Sequence, residues 1–218
     1  ILIFETFSLS NDKIQFKMNI EFKISKNPVN YKKALQLLEK RVNQVKKGGR
    51  ELVWFLEHPT TYTAGVRYKK EEILDKSINV IKTNRGGKIT LHNPGQKIVY
   101  FVIDLNRRKK NIRNLVREIE KIIIKFLKIY RIKSYADKKN IGIWVNRKKI
   151  AAIGIRVSRW VAYHGFSINI KNNLNDYKKI MPCGLDNRKI TSVKNEKKIP
   201  VEIKKNLKKV LLEHISKI

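Results

Sequence analysis

Apolar and polar side chains alternate over residues 14–24. Ile14, Phe16, Met18, Ile20, Phe22 and Ile24 fall on one face and Gln15, Lys17, Asn19, Glu21 and Lys23 on the other, which predicts a half-buried strand. Asn27-Pro28 then opens a helix on which Tyr31, Ala34, Leu35, Leu38, Val42 and Val45 recur at helical spacing, and Gly48-Gly49 closes it. Beyond Glu51, short apolar runs at 52–56, 78–81, 98–105, 142–145, 150–157 and 166–170 are separated by polar turns and read as sheet. Residues 111–130 carry one broad apolar stripe, from Ile112 and Leu115 to Leu127 and Tyr130, that predicts a long helix. A last helix is expected over 201–216. Strands are grouped and helices interrupt them without strict alternation, so the fold class is α+β rather than a doubly wound sheet. Repeats and low-complexity linkers are absent and prolines number five, which predicts one domain over 18–218. The first methionine is Met18, so 1–17 is expected to be a non-native or variable N-terminal extension.

Composition changes this picture at two points. The first is charge: 50 basic residues against 18 acidic ones give a net +32, spread along the whole chain. Lys outnumbers Arg 37 to 13, and Ile (31) and Asn (20) are also frequent, a mixture that A/T-rich codon usage produces. A solvated basic surface is therefore the simplest reading, and an acidic macromolecular partner is the alternative. Residues 107–110 and 204–209 are the first places such a partner would touch. The second point is that Cys183 is the only cysteine, which excludes an internal disulfide and a multi-thiolate zinc site. No apolar stretch is long enough to span a bilayer and the start lacks a signal-peptide pattern, so the protein is expected to be soluble and cytoplasmic.

Three segments concentrate Gly, His and small residues. In Arg85-Gly86-Gly87-Lys88-Ile89-Thr90-Leu91-His92 and on to Asn93-Pro94-Gly95-Gln96, paired glycines allow backbone N–H groups close to a ligand, with Arg85, Thr90 and His92 as polar contacts; an ordinary hairpin would look similar. Lys149-Ile150-Ala151-Ala152-Ile153-Gly154 leads to His164-Gly165-Phe166-Ser167, and small residues on neighbouring strands leave room for an apolar object or simply pack closely. Met181-Pro182-Cys183-Gly184 holds the sole thiol in a turn, where it is either a small buried hydrophobe or a nucleophile whose pKa is lowered by nearby cations.

In this order the segments resemble the lipoyl(octanoyl) transferase family. Leu56-Glu57-His58-Pro59, Tyr62-Thr63-Ala64-Gly65, Gly142-Ile143-Trp144-Val145, Arg156-Val157-Ser158-Arg159-Trp160 and Thr191-Ser192 add to the match, which spans about residues 20 to 215. The resemblance implies a mixed sheet flanked by helices, like that of the biotin and lipoate protein ligases, and acyl transfer with no cofactor, ATP or metal. It implies that Cys183 takes octanoyl from octanoyl acyl carrier protein as a thioester and that Lys149 tunes the thiol. Lipoyl domains of 2-oxoacid dehydrogenase complexes and the glycine cleavage H protein would be the acceptors, with no nucleic acid or membrane partner. Arg85, Gly86, Gly87, Lys88, Ile89, Thr90, Leu91, His92, Ala152, Ile153, Gly154, Gly165, Phe166 and Ser167 match its substrate-binding segments. Asn93 stands where the family has glycine, which implies altered loop detail; Asn tolerates positive φ better than most residues. An ATP-dependent lipoate or biotin ligase is the rival on the same fold, and a nucleic-acid-binding module the rival from charge alone.

Overall fold

The computed structural model describes residues 19–137, 140–182, 190–197 and 202–215; the expected extension 1–17 and Cys183 lie outside the described residues. A seven-stranded mixed sheet forms the body. Its strands are β1 (Ile20–Ile24), β2 (Glu51–Leu56), β6 (Gln96–Asp104), β7 (Tyr135–Ala136), β8 (Ile143–Val145), β9 (Lys148–Ser158) and β10 (Val161–Asn169), in the spatial order β1-β2-β6-β10-β9-β8-β7. Among the described strands of this sheet only β1 and β2 pair in parallel, because helix α1 (Tyr31–Lys46) crosses between them; the other strand pairs are antiparallel. Three further strands, β3 (Thr61–Ala64), β4 (Val80–Lys82) and β5 (Ile89–His92), make a small second sheet in the order β4-β3-β5.

Strand alternation divides the core in two. On β6, Ile98, Tyr100 and Val102 face α1 and pack with Ala34, Leu38, Val42 and Val45. Their neighbours Val99, Phe101 and Ile103 face helices α2 (Ile112–Ile129) and α4 (Ile203–Ile215), which bury Leu115, Ile119, Phe126, Leu207 and Leu211 among others. The helices start where side chains satisfy backbone N–H groups: Asn30 caps α1 and Asn111 caps α2, while Ser192 caps the short α3 (Val193–Glu196). Helix α1 thus begins three residues after the Asn27-Pro28 signal, because Asn30 is the residue whose side chain reaches the Lys33 N–H. The small sheet has its own cluster, Tyr62, Ile89, Leu91, Tyr177 and Ile180, which ties it to the 3-10 turn Leu174–Lys179. No described helix is long and apolar enough to cross a membrane.

Candidate functional site

The small sheet, β9 and β10 enclose a cavity of about 560 Å³. Gly154 of β9 and Gly165 of β10 pair across the strands, next to Tyr100 of β6, and form its floor. At Gly165 a Cβ would run into the Val99 carbonyl oxygen, so only glycine lets β10 lie this close to β6. His164, with φ of 69°, interrupts the alternation just before it, and its ring stacks on Tyr163 with centroids 4.9 Å apart. Neighbouring strand residues would otherwise point to opposite faces.

Alternation also sorts the predicted segment 85–92. Thr90 and His92 turn toward the cavity, joined by Arg85, Gly86, Gly87 and Lys88 from the preceding turn. Ile89 and Leu91 turn the other way and are fully buried in the small sheet's cluster, so they support the wall rather than line it. Ala152, Ile153, Gly154, Gly165, Phe166 and Ser167 all line the cavity. Sequence reasoning missed Tyr100 and Ile98, which look like ordinary core in an apolar run, and Ile112, Val116 and Ile141, whose apolar side chains fit a helix face or a turn equally well.

Along the cavity wall His92 and His164, with His58 behind them, form an aromatic cluster with Tyr31 and Tyr100. His58 donates from Nδ1 to the Val29 carbonyl (2.6 Å) and accepts at Nε2 from the Tyr100 hydroxyl (2.9 Å). The Gln96 amide N–H groups are committed to Leu91 O and Asn169 Oδ1, so Gln96 Oε1 accepts from His92 Nδ1 (2.7 Å) and His92 Nε2 carries a lone pair. Asn84 donates to Glu39, which leaves its Oδ1 to accept from His164 Nε2 (2.7 Å). Burial is the main reason all three imidazoles stay neutral: His58 is lowered to about 4, and His92 and His164 to about 3. The Arg85 guanidinium pushes the latter two in the same direction. Arg85 itself is buried and is held by Thr63 O (2.8 Å), Thr63 Oγ1 (2.9 Å) and Gly86 O (3.1 Å).

Lys149 enters the cavity from the start of β9 and is only 5% exposed. Its Nζ lies 5.5 Å from the Trp144 ring centroid, and its carbonyl accepts from Thr191 N (3.0 Å). A Cβ on Gly142 would stand 2.5 Å from Lys149 Cε, so glycine there leaves the lysine its path. A smaller pocket joins Lys149 to Thr90, Ser167, Asn169 and Pro182, the residue before Cys183. Pro182 is approached through backbone bonds that tie the segment before it to residues 70–75, Met181 N to Glu72 O (2.7 Å) and Leu74 N to Lys179 O (3.0 Å). Asn93 does not take positive φ; its amide instead donates to Asn173 O and Asp176 Oδ2, both at 2.9 Å, and fastens the loop to the Leu174–Lys179 turn.

Solved structures share this architecture. Lipoate-protein ligase A bound with ATP superposes with a TM-score of 0.72 at 13% identity, covering 90% of this chain and 86% of that one. A bi-partite lipoate protein ligase from Thermoplasma acidophilum gives 0.69 at 13% identity, covering 89% and 83%. Sequence relatives are nearer. An octanoyltransferase of Ehrlichia ruminantium is 46% identical over 182 residues, 80% of this chain and 88% of that protein. One of Anaplasma phagocytophilum is 44% identical over 184 residues, 81% and 88%. The model of the lipoyl protein ligase A/B catalytic domain matches residues 30–216. With that span and these relatives, the chain belongs to the lipoyl protein ligase A/B catalytic domain family.

Proposed function

We infer that this chain is an octanoyltransferase of lipoate biosynthesis, an acyltransferase that moves octanoyl from octanoyl acyl carrier protein to a lysine of lipoyl domains. Relatives of that name at 44–46% identity support the reaction. The observation that carries the mechanism is Lys149, buried in the wall of a cavity floored by glycines and sharing a pocket with Pro182, the neighbour of Cys183.

In the first step the Cys183 thiolate attacks the donor's thioester carbonyl. The carbon–sulfur bond to the carrier breaks, its sulfur leaves with a proton, and octanoyl remains on Cys183 as a new thioester. In the second step the acceptor lysine, deprotonated, attacks that carbonyl; the bond to Cys183 breaks and an amide forms. A thioester is already activated, so neither step consumes ATP. Lys149 as an ammonium favours the thiolate, and as an amine it accepts the acceptor's proton. Arg85, Gly86, Gly87, Lys88, Thr90 and His92 on one wall, with Ala152, Ile153, Gly154, Gly165, Phe166 and Ser167 on the other, hold the acyl chain; Ile89 and Leu91 brace the first wall from behind. Lipoyl domains of 2-oxoacid dehydrogenase complexes and the glycine cleavage H protein are the acceptors this chemistry fits.

The test is intact mass after mixing with octanoyl carrier protein, without ATP or acceptor, alongside Cys183→Ser. An octanoyl adduct on the wild type that the variant lacks is the expected result. No adduct on a folded protein, with transfer appearing only when ATP and free octanoate are supplied, would replace this reading with that of a ligase.

A further inference from the structure

Strand β9 has an outer edge that the large sheet leaves partly uncovered. Its inner edge pairs with β10 from Ala151 to Ser158, while β8 reaches along the outer edge only as far as Ala151. Which main-chain groups point outward follows from the hairpin. Arg159 and Trp160, with φ of 49° and 64°, form a two-residue primed turn, so Ser158 and Val161 beside it exchange hydrogen bonds. Bonded and non-bonded pairs alternate from there: Arg156 and Gly154 bond to β10, and Ile153, Ile155 and Val157 direct their N–H and C=O groups outward. Gly86 shows the same parity, because its N–H donates to Ile155 O (3.3 Å) from the outer side. Among the described residues nothing else bonds to these outward groups.

Between Ala151, where β8 stops, and Ile155 O, which Gly86 takes, lie the Ile153 N–H, the Ile153 C=O and the Ile155 N–H, a donor, an acceptor and a donor in line. Residues 152–155 are half-buried and line the cavity, whereas β10 beside them is buried throughout. Side chains divide around this edge. Ala152 and Gly154 face the small sheet, where they neighbour Thr90 and Arg85. Ile153, Ile155 and Val157 pack toward the core under α2, and on that side Ile112 and Ile141, 42% and 45% exposed, form the mouth of the cavity. A row of open donors and acceptors inside a cavity is a template for a chain that carries amides, and a hydrocarbon has nothing to pair with it.

We propose that this edge binds the amide-bearing arm of the thioester donor, which pairs with β9 as a short added strand while the acyl chain lies on the small-sheet side; the proposal rests on the function inferred above. The pocket that joins Lys149 to Pro182 also touches Ala151 and Ala152, so Ile153 and Ile155 follow one and three residues farther along, roughly 3 and 10 Å at ~3.3 Å per residue. In a pantetheine arm the two amide nitrogens come three and seven bonds after the thioester sulfur, roughly 4 and 8 Å at ~1.2 Å per bond. Both amides thus fall within the open stretch. The acceptor does not match it: a lysine side chain carries no amide, and the first one behind it belongs to the main chain of a folded domain, far too broad to enter a cavity of about 560 Å³.

The test measures kcat/KM for acyl-enzyme formation from S-octanoyl pantetheine, from S-octanoyl N-acetylcysteamine, which keeps one amide, and from an S-octanoyl alkyl thioester with none. It is run on the wild type and on Ile155→Pro. Proline removes an outward N–H that no strand uses, a change that an edge tolerates, and circular dichroism with a thermal melt shows that the variant is folded. In the wild type kcat/KM should fall about tenfold from two amides to none, and Ile155→Pro should lose most of that ratio. A wild type indifferent to the amides overturns the proposal whatever the variant does. So does an Ile155→Pro enzyme that keeps the full ratio, or one that slows only the later transfer to a lipoyl domain, which would give the edge to the acceptor's main chain. Calorimetry with free pantetheine separates this proposal from the function beneath it. Pantetheine bound by the wild type and weakened in Ile155→Pro, with no acyl transfer from any thioester, would sink the inferred function and leave the edge site standing; transfer without amide preference would do the reverse.

Discussion

Acid should unfold this protein through its three neutral histidines. His58, His92 and His164 are at most 6% exposed, with folded-state pKa values of about 4, 3 and 3 against an ordinary 6.5. Well above pH 6.5 both the folded and the unfolded chain carry neutral imidazoles and the groups contribute no pH dependence. As pH falls below 6.5 the unfolded chain takes up three protons that the folded chain refuses, so stability declines until the folded values near 4 and 3 are passed. Each depressed imidazole removes about 2 kcal/mol by pH 5, and the three together about 6 kcal/mol relative to pH 7. That equals the whole stability of a marginal domain. Glu120 works the other way, since burial raises its carboxyl, but it is one half-exposed group against three buried ones. Urea unfolding followed by tryptophan fluorescence at pH 7, 6 and 5 reads the effect as a steadily falling midpoint. His164→Gln keeps the bond to Asn84 and should remove about a third of the decline. A midpoint that stays level from pH 7 to 5 and drops only in the carboxylate range would refute the account.

Gly165→Ala drives a methyl into the Val99 carbonyl and should cost about 3 kcal/mol or more, visible as a large fall in Tm. Ala152→Leu fills the cavity between Thr90 and Ser167; octanoyl transfer should drop about tenfold or more while a four-carbon donor is spared, read from kcat/KM for the two chain lengths. Glu51→Gln leaves the Arg108 guanidinium, now held at 2.5 and 2.8 Å, without its counter-charge and should destabilise by about 3 kcal/mol in urea, with little change in the acyl-enzyme mass assay.

Periodicity was sufficient for the large elements because each has one face against a thick core. The stripe over 111–130 became α2, and the runs at 52–56, 98–105 and 150–157 became β2, β6 and β9. It failed for β3, β5 and β7, which are two to four residues long. In β5 the alternating residues divide between a cavity and a small cluster, so Thr90 and His92 read as polar loop rather than as the outer face of a strand. Cavity-lining residues were legible where glycine interrupts a Lys/Ile-rich chain, as at 85–88, 154 and 165. Tyr100 and Tyr31 gave no such signal, since each sits in a stretch that core packing alone explains, and His58 stood out only through the family match at 56–59; only the fold brings their rings together.

The small sheet has a consequence for how the protein breathes. Its cluster holds five buried side chains, among the described residues, against the far larger body beneath α2 and α4. It therefore forms the less stable cooperative unit, one that opens locally before the whole chain unfolds. That unit carries Thr90 and His92 on one wall and, through Tyr177 and Ile180, braces the segment that leads to Pro182. Opening it strips away the cavity wall that carries Thr90 and His92 and the segment that ends at Pro182 in a single event. Amide hydrogen exchange should find β3, β5 and residues 174–181 exchanging together, and an acyl chain lodged in the cavity should slow all of them at once.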